Sequence, residues 1–218
     1  MTITDLQHLI GATPDGKWGA LSKAALLAHF SGRPATPLSS ADLAGACTRL
    51  GCSILQLQAV RAVESSGRGF DGGGRPKILF ERHKFHKFTG GRFSPAPFSL
   101  AQAGGYDVNS WTKLADAIGT GAVDAAFMAC SWGAFQIMGE WWDECLYASP
   151  YALAHACAQD EAGQLQLLIK YVEHFALQDE LKQLTSNPET CRPFAAAYNG
   201  PRYAVGGYHV KLAERMAA

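Results

Sequence analysis

Apolar residues return at helical spacing along most of this chain. The two clearest stripes run through residues 53–64 and 160–184, where apolar side chains recur every three to four positions. Ser39 followed by Asp42 resembles a capping box, so a helix should begin near Ser40. Further helices are predicted over 110–118, 123–129, 133–146, 194–198 and 208–216, with another that begins at Ser149 and Pro150.

The β signal is confined to one short region. The segment KILFE, residues 77–81, has the β-branched and aromatic content of a strand, and a glycine-rich loop precedes it. Residues 90–106 contain too many Gly and Pro residues for regular structure. The pattern therefore predicts a mainly α-helical fold with one small β element between residues 69 and 90.

The N-terminal residues form a unit of their own in this pattern. Two short apolar stripes on either side of a turn at Asp15 and Gly16 predict a pair of helices within residues 1–33. Residues 34–39 contain two prolines, which is typical of a linker. The remaining residues, 40–218, are predicted to form the main domain.

Composition excludes several classes of protein. The 218 residues include 19 basic and 19 acidic side chains, so the net charge is zero, and 48% of the residues are hydrophobic. A nucleic-acid-binding protein normally carries a basic face, and a disordered chain has few apolar residues. No apolar run approaches the ~18 residues that cross a bilayer, and the N terminus lacks the features of a secretory signal peptide. We therefore expect a folded protein made in the cytoplasm, with no stable membrane anchor and no nucleic-acid partner.

The six cysteines are scattered through the chain without a C-x-x-C pair. Zinc sites and redox motifs usually show such close spacing, so no metal site is predicted. We interpret most of the cysteines as small buried residues or free thiols. A disulfide bond between two of them remains an alternative if the protein works outside the cytoplasm.

Two glutamates are candidates for catalysis. Glu64 lies at the end of an apolar helix, where partial burial and the negative end of the helix dipole would both raise the pKa of its carboxyl group. A carboxyl group that stays protonated near neutral pH can act as a general acid. Glu81 ends the predicted strand and would complete a two-carboxylate cleft, the usual apparatus of glycoside hydrolysis, if the strand folds back over the helix end. Taken alone, Glu64 also fits a solvated helix end, and Glu81 also fits a surface ion pair with Arg82.

Two further segments combine aromatic rings with side-chain amides. Residues 131–139, SWGAFQIMG, contain Gln136, and residues 197–201, AYNGP, contain Tyr198 and Asn199. Aromatic faces stack on sugar rings, and amides hydrogen-bond to hydroxyl and acetamido groups, so both segments suit a polysaccharide groove. As isolated features they also fit core aromatic residues and a helix C-cap.

In order along the chain, these motifs resemble the three signatures of the goose-type lysozyme and lytic transglycosylase superfamily: Glu64-Ser65, then S-W-G-x-F-Q-I-M-G, then A-Y-N-G. More narrowly, A-V-E-S-S-G-x-G-F, G-R-P-K-I-L-F-E-R-H-x-F-H and T-G-G-R-F-S look like the N-acetylmuramidase domain of phage endolysins, a resemblance that covers about residues 40–218. It implies a lysozyme-like α+β fold that is mainly α-helical with one small β-hairpin. It gives Glu64 the role of the acid, and Glu81 is the best candidate to hold the attacking water. The expected substrate-binding residues are Ser66, Phe80, His83, Ser131, Gln136, Tyr198 and Asn199.

The same resemblance implies hydrolysis of the β-1,4 bond between N-acetylmuramic acid and N-acetylglucosamine, with inversion and without a metal or organic cofactor. Peptidoglycan glycan strands are then the partner of a protein expected to be a monomer. The implied role is host-wall lysis by a phage or prophage, after release from the host cytoplasm through a holin-like pore. Three alternatives stay open: a lytic transglycosylase in which Glu64 acts alone, a wall-binding protein without catalysis, and an amidase or peptidase with a Cys–His pair or zinc.

The N-terminal unit has a resemblance of its own. Its segment DGKWGALSKAA is similar to the D-G-x-[FW]-G-x-x-[ST] core of the peptidoglycan-binding type 1 domain, at about half that domain's usual length. The resemblance implies wall binding through Asp15 and Trp18. The shortened length leaves an alternative in which the helical pair simply packs on the catalytic domain.

Overall fold

The computed structural model describes residues 1–32 and 36–217, and these are mainly helical around a small sheet. The predicted mainly α-helical, lysozyme-like class with a small β element is confirmed. Residues 33–35, which include part of the predicted linker, lie outside the described residues. The helices are α1 (Ile3–Leu9), α2 (Ala20–His29), α3 (Ser40–Leu50), α4 (Ile54–Ser65), α5 (Arg82–Phe88), α6 (Ser110–Ile118), α7 (Val123–Met128), α8 (Pro150–Cys157), α9 (Glu161–His174), α10 (Gln178–Lys182), α11 (Pro188–Asn199) and α12 (Tyr208–Ala217).

Most helices begin where the sequence supplies a side chain that can cap them. Thr2, Ser39 and Ser53 each form a complete capping box, in which the hydroxyl accepts from the third helical N–H and the third side chain accepts in return. Ser149 and Asn187 cap helices whose first residue is proline, a position where a missing N–H costs nothing. Local sequence therefore sets these helix starts, as predicted for α3 and α8.

The sheet has three short antiparallel strands, β1 (Ile78–Phe80), β2 (Cys130–Trp132) and β3 (Ile137–Met138), in the order β1-β2-β3. Leu79 pairs with Ser131, and Ser131 pairs with Met138 on its other side. The glycine-rich loop before β1 folds back on itself through one antiparallel bridge between Phe70 and Pro76. The predicted β element thus exists, but its main pairing partner is β2, some fifty residues further along the chain.

The prediction of a helix over residues 133–146 is wrong. This segment contains strand β3, two short 3₁₀ helices at Gly133–Phe135 and Gly139–Trp141, and a turn over residues 142–146. Gly133 has φ +73° and Gln136 has φ +50°, and these left-handed backbone angles interrupt a helix. The apolar spacing was real, but it reflects burial of an irregular segment rather than one face of a helix.

The strand predicted over 77–81 is one residue shorter at each end, so both Lys77 and Glu81 lie outside it. Glu81 is the N-cap of α5, a helix that the sequence pattern did not predict. Helix α5 has the sequence RHKFHKF and buries only Phe85, so it has no apolar stripe that could have revealed it.

The N-terminal helical pair packs directly on the main domain. Phe30 is fully buried and its ring contacts those of Trp111, Phe127 and Trp132. Lys23 forms an ion pair with Asp116 at 2.5 Å. Residues 1–32 therefore share one hydrophobic core with the rest of the described chain.

Two expectations about the chain's environment can be compared with the structure. No helix among the described residues is long and apolar enough to cross a membrane. All six cysteines have free thiols, and Cys130, Cys145, Cys157 and Cys191 are buried. The interpretation of the cysteines as small buried residues or free thiols therefore agrees with the structure.

Candidate active site

A cleft runs across the junction of α4, the sheet and α11. It consists of two adjoining cavities of about 490 Å³ and about 310 Å³, which share Glu64, Leu79 and Gln136 in their walls. The larger cavity is also lined by Ser65, Ser66, Asp71, Lys77, Ile78, Asn109, Ser110 and Trp111, and the smaller one by Glu81, Ser131, Met138, Tyr198 and Asn199.

Glu64 lies at the centre of this cleft, in the last turn of α4. Burial raises the pKa of its carboxyl group from the ordinary 4.5 to about 7, and a hydrogen bond from the Tyr208 hydroxyl to Oε1 acts in the opposite direction. A large fraction of this group is therefore protonated near neutral pH. A carboxyl group that is protonated and lines a cleft can act as a general acid.

Two tyrosines approach Glu64 from different helices, and the one that bonds to it is not the one in the sequence motif. Tyr198, of the A-Y-N-G segment, donates its hydroxyl proton to the Phe135 carbonyl at 2.6 Å and stacks on Phe194. Tyr208, the first residue of α12, contacts Glu64 instead. Sequence reasoning missed Tyr208, whose only signal was its position on the buried face of a predicted helix.

Glu81 reaches the same cleft from the sheet side. Its backbone N–H donates to the Ala129 carbonyl at 2.8 Å, which fixes the chain where β1 meets α5. The Tyr106 hydroxyl lies 2.9 Å from Oε2 and 3.2 Å from Oε1 of its carboxylate. His83 Nδ1 lies 3.2 Å from Oε2. Glu64 and Glu81 therefore line one cavity, as the two-carboxylate hypothesis requires.

Gln136 lines both parts of the cleft, but its amide is bound within the protein. Its Oε1 accepts from the Ser131 hydroxyl at 2.6 Å, and its Nε2 donates to the carbonyls of Gly133 at 2.8 Å and Lys77 at 3.3 Å. Both amide protons are thus used to fix the cleft wall. Ser131 acts through Gln136 in the same way, with its own side chain almost wholly buried.

The remaining predicted substrate contacts divide into three accessible residues and one buried residue. Ser66 lies at the rim in a left-handed conformation that ends α4, and Asn199 is exposed at the end of α11. His83 is partly exposed beside Glu81. Phe80 is fully buried against Phe85, so the prediction that it contacts substrate is wrong: strand alternation points its ring into the core.

The sequence profile of the Muramidase family, described as N-acetylmuramidase, matches residues 53–218, which include both glutamates and the whole cleft. The chain belongs to the N-acetylmuramidase family. It is therefore a peptidoglycan-cleaving glycosidase, with peptidoglycan as its substrate. This agrees with the resemblance on which the sequence analysis relied.

A solved structure supports the same assignment. The crystal structure of the Burkholderia AP3 phage endolysin aligns with this muramidase with a TM-score of 0.70 and 27% sequence identity. The alignment covers 99% of this chain and 94% of the endolysin, so the N-terminal helical pair is included. No curated protein sequence matches the chain.

A buried glutamine that the sequence analysis missed holds the cleft loops of this muramidase together. Gln164 of α9 accepts from the Ala134 N–H at 2.7 Å and donates to the carbonyls of Cys157 at 2.9 Å and Gly69 at 3.3 Å. A Cβ at Gly69 or Gly133 would lie 1.9 Å or 2.6 Å from the Gln164 side chain. Those glycines are therefore required by the close approach of two loops to one amide.

The two residues predicted to bind the wall both make internal contacts. The Asp15 carboxylate accepts from the Lys17 N–H at 2.9 Å and from Gln7 Nε2 at 3.0 Å, which holds the turn between α1 and α2. The Trp18 indole donates to the Ala115 carbonyl at 2.7 Å, so it attaches the helical pair to α6. A cavity of about 520 Å³ lies beside Asp15, and Trp18 does not line it. Of the two predicted residues, only Asp15 therefore lines a surface that a wall ligand could enter.

Proposed function

We propose that this muramidase hydrolyses the β-1,4 bond between N-acetylmuramic acid and N-acetylglucosamine. Glu64 is the general acid, and Glu81 holds and activates the attacking water. The observation that carries this proposal is the pair of carboxyl groups in one cavity, of which the buried Glu64 has a pKa of about 7. Paired acid and base groups of this kind are the usual apparatus of glycoside hydrolysis.

The reaction follows from these positions. Protonated Glu64 gives its proton to the glycosidic oxygen as the bond to the muramic acid C1 breaks, and positive charge develops on the sugar ring. Water attacks C1 from the opposite face while the Glu81 carboxylate takes its proton. The product is a reducing N-acetylmuramic acid end with inverted configuration. Exchange with solvent then returns the proton to Glu64 and removes it from Glu81.

A lytic transglycosylase remains the second candidate, because its chemistry needs only Glu64. Mass spectrometry of digested peptidoglycan distinguishes the two, since hydrolysis leaves reducing muramic acid ends and transglycosylation leaves 1,6-anhydro ends. We expect reducing ends from the wild type, none from Glu64→Gln and few from Glu81→Gln. Full activity of Glu81→Gln, or anhydro ends from the wild type, would overturn the two-carboxylate mechanism.

Thiol-based catalysis has less support from the structure. Burial raises the pKa of the Cys52 thiol to about 12 and that of Cys145 to about 11, and it raises the pKa of Cys130 well above its usual value. A nucleophilic cysteine needs the opposite shift, because the thiolate is the reactive form. We expect a thiol-alkylating reagent, applied to the folded enzyme, to leave glycan cleavage unchanged.

We further propose that the enzyme lyses a bacterial host from within. The support is its similarity to a phage endolysin over nearly the whole chain. Cells that express the wild type should keep their turbidity until chloroform permeabilises the inner membrane, and should then clear rapidly. Cells that express Glu64→Gln should not clear. Clearing before chloroform treatment would contradict a requirement for release through a pore.

Wall binding by the N-terminal unit is a separate proposal, and the accessible surface for it is the cavity beside Asp15. Leu21 lines that cavity and is 87% exposed, so it can be changed without disturbing the core. In a Glu64→Gln background, Leu21→Asp should reduce co-sedimentation with purified peptidoglycan. Leu146→Asp, at an 81% exposed leucine outside both the cleft and this cavity, is the matched control. Equal sedimentation of the two variants would remove this proposal.

A further inference from the structure

One aromatic hydroxyl outside the predicted motifs contacts the second carboxylate. Tyr106 lies on the irregular segment between α5 and α6, and its side chain is more than half exposed. Its hydroxyl lies within hydrogen-bond distance of both Glu81 oxygens, at 2.9 and 3.2 Å. Tyr106 therefore offers a hydroxyl donor to a carboxylate that lines the cleft.

A buried lysine hydrogen-bonds to both the segment that carries Tyr106 and the segment that carries Glu81. Lys113 of α6 is almost wholly buried, and its ammonium group donates to the Phe80 carbonyl at 3.1 Å and to the Gly105 carbonyl at 2.8 Å. These are the carbonyl groups immediately before Glu81 and immediately before Tyr106. One cation therefore links the backbone just before Glu81 to the backbone just before Tyr106.

Arg82, the residue after Glu81, also hydrogen-bonds to the loop that carries Tyr106. Arg82 donates through Nε to the Gln102 carbonyl at 2.9 Å and through Nη2 to the Ala103 carbonyl at 3.1 Å. Gly104 and Gly105 have φ +117° and +71°, and a Cβ on either would lie about 3 Å from the Arg82 guanidinium, at 3.2 and 3.0 Å. The backbone angles and the close approach of Arg82 therefore both favour glycine at these two positions.

We propose that Tyr106 is a positioning residue that orients the Glu81 carboxylate toward the attacking water. The inference rests on the proposed role of Glu81 and adds to it the group that holds this carboxylate in place. Burial and the charge of Glu81 raise the pKa of Tyr106 to about 12, so the phenol keeps its proton and remains a donor. A general base that takes a proton from water must be held in one orientation, and the Tyr106 hydroxyl lies where it can do this, within hydrogen-bond distance of both Glu81 oxygens.

The test is a kinetic comparison of Tyr106→Phe with the wild type on purified glycan strands. The variant keeps the ring and loses only the hydroxyl, so its melting temperature should match that of the wild type. We expect kcat to fall about tenfold with KM unchanged, as for loss of a hydrogen bond to a charged group that acts in the reaction. Tyr203→Phe, which removes a tyrosine hydroxyl that lies 3.4 Å from Arg192 and lines neither part of the cleft, should keep wild-type kinetics.

A double-mutant comparison separates positioning of Glu81 from a direct contact with the glycan. In a Glu81→Gln background, Tyr106→Phe should cause no further loss of the residual rate. An unchanged kcat for Tyr106→Phe, a raised KM, or an equal tenfold loss in the Glu81→Gln background would each overturn the inference. If Glu81→Gln itself is fully active, the proposed function fails instead, which is a distinct outcome.

Discussion

The two carboxyl groups of the cleft are held in contrasting ways. Glu64 lies between packed helices and bonds to a buried tyrosine, and burial dominates its chemistry. Glu81 lies at the junction of a strand and a helix. The exposed Tyr106 and the partly exposed His83 contact its carboxylate. Burial and one hydrogen bond from Tyr208 set the environment of Glu64, whereas Tyr106 and His83 are the polar groups beside Glu81.

This contrast fits the opposite roles that we propose for the two glutamates. Burial favours the neutral form of the Glu64 carboxyl group, which can give a proton, whereas the Tyr106 hydroxyl and His83 lie where they can orient the Glu81 carboxylate. In the proposed mechanism the acid therefore lies on the helical side of the cleft and the base on the sheet side. Variants that change one environment without the other should separate the two roles.

The largest effect is expected from removal of the acid. Glu64→Gln keeps the shape of the side chain and removes its proton, so the rate of glycan cleavage should fall by roughly 10²–10⁴-fold. The measurement is the release of reducing ends from purified peptidoglycan. Glu214→Gln, at an exposed position on α12, should keep the wild-type rate. A Glu64→Gln variant with more than a tenth of the wild-type rate would contradict the assignment.

The burial of Glu64 should also be visible in stability. Because its pKa rises from 4.5 to about 7 on folding, the ionised form is disfavoured in the folded state, and stability falls as pH rises through this window. Glu64→Gln removes the cost, on the order of 3 kcal/mol at most, above pH 7. We expect the variant to melt at a higher temperature than the wild type at pH 8, with the difference much smaller at pH 4. An equal difference at both pH values would contradict burial as the cause.

The pH dependence of activity should report the bond between Tyr208 and Glu64. Tyr208→Phe removes a donor that lowers the pKa of Glu64, so the pKa rises and the alkaline limb of the rate profile moves to higher pH. Among the described residues, the other charged or titratable groups that line the cleft with Glu64 are Tyr198 of α11, Asp71 and Lys77 before β1, and Glu81 across the cavity. Tyr198→Phe should shift the limb much less, because that hydroxyl donates to a backbone carbonyl. A shift to lower pH in Tyr208→Phe would contradict this account.

The smallest effect is expected on the sheet side, from Arg82→Ala. It removes two hydrogen bonds to the loop that carries Tyr106 but leaves Lys113 in place. The expected loss of activity is less than the tenfold loss of Tyr106→Phe. The free energy of unfolding should fall by about 1 kcal/mol, which would appear as a slightly lower melting temperature. A complete loss of activity would show that the loop, rather than the Tyr106 hydroxyl, holds Glu81.

The sequence predicted the parts of this site that depend on local pattern. Ser53 and the apolar stripe predicted α4, and the motif around Glu64 marked the carboxyl group that we propose as the acid. Glu81 was found as the second carboxylate, although its place at a helix N-cap was not, because α5 lacks an apolar stripe. The pairing of β1 with β2 depends on contacts between segments distant in sequence, and periodicity carries no information on these.

The parts that the sequence did not predict are side-chain contacts across the fold. Tyr208 reaches Glu64 from 144 residues away, and nothing local to either residue marks the pair. Gln164 and Lys113 are polar residues on helices. Each stabilises the site by donating hydrogen bonds to backbone carbonyl groups of distant segments. Such contacts arise from the packing of whole elements, so only the structure shows them.

The central claim, attack by water with Glu64 as the acid, is tested most directly by digestion in ¹⁸O-labelled water. Mass spectrometry of the muramic acid ends then shows where the oxygen came from. The account predicts one heavy oxygen at each new reducing end from the wild type, and no new ends from Glu64→Gln. Unlabelled 1,6-anhydro ends from the wild type would show that the sugar's own hydroxyl attacks, and would contradict the role of Glu81.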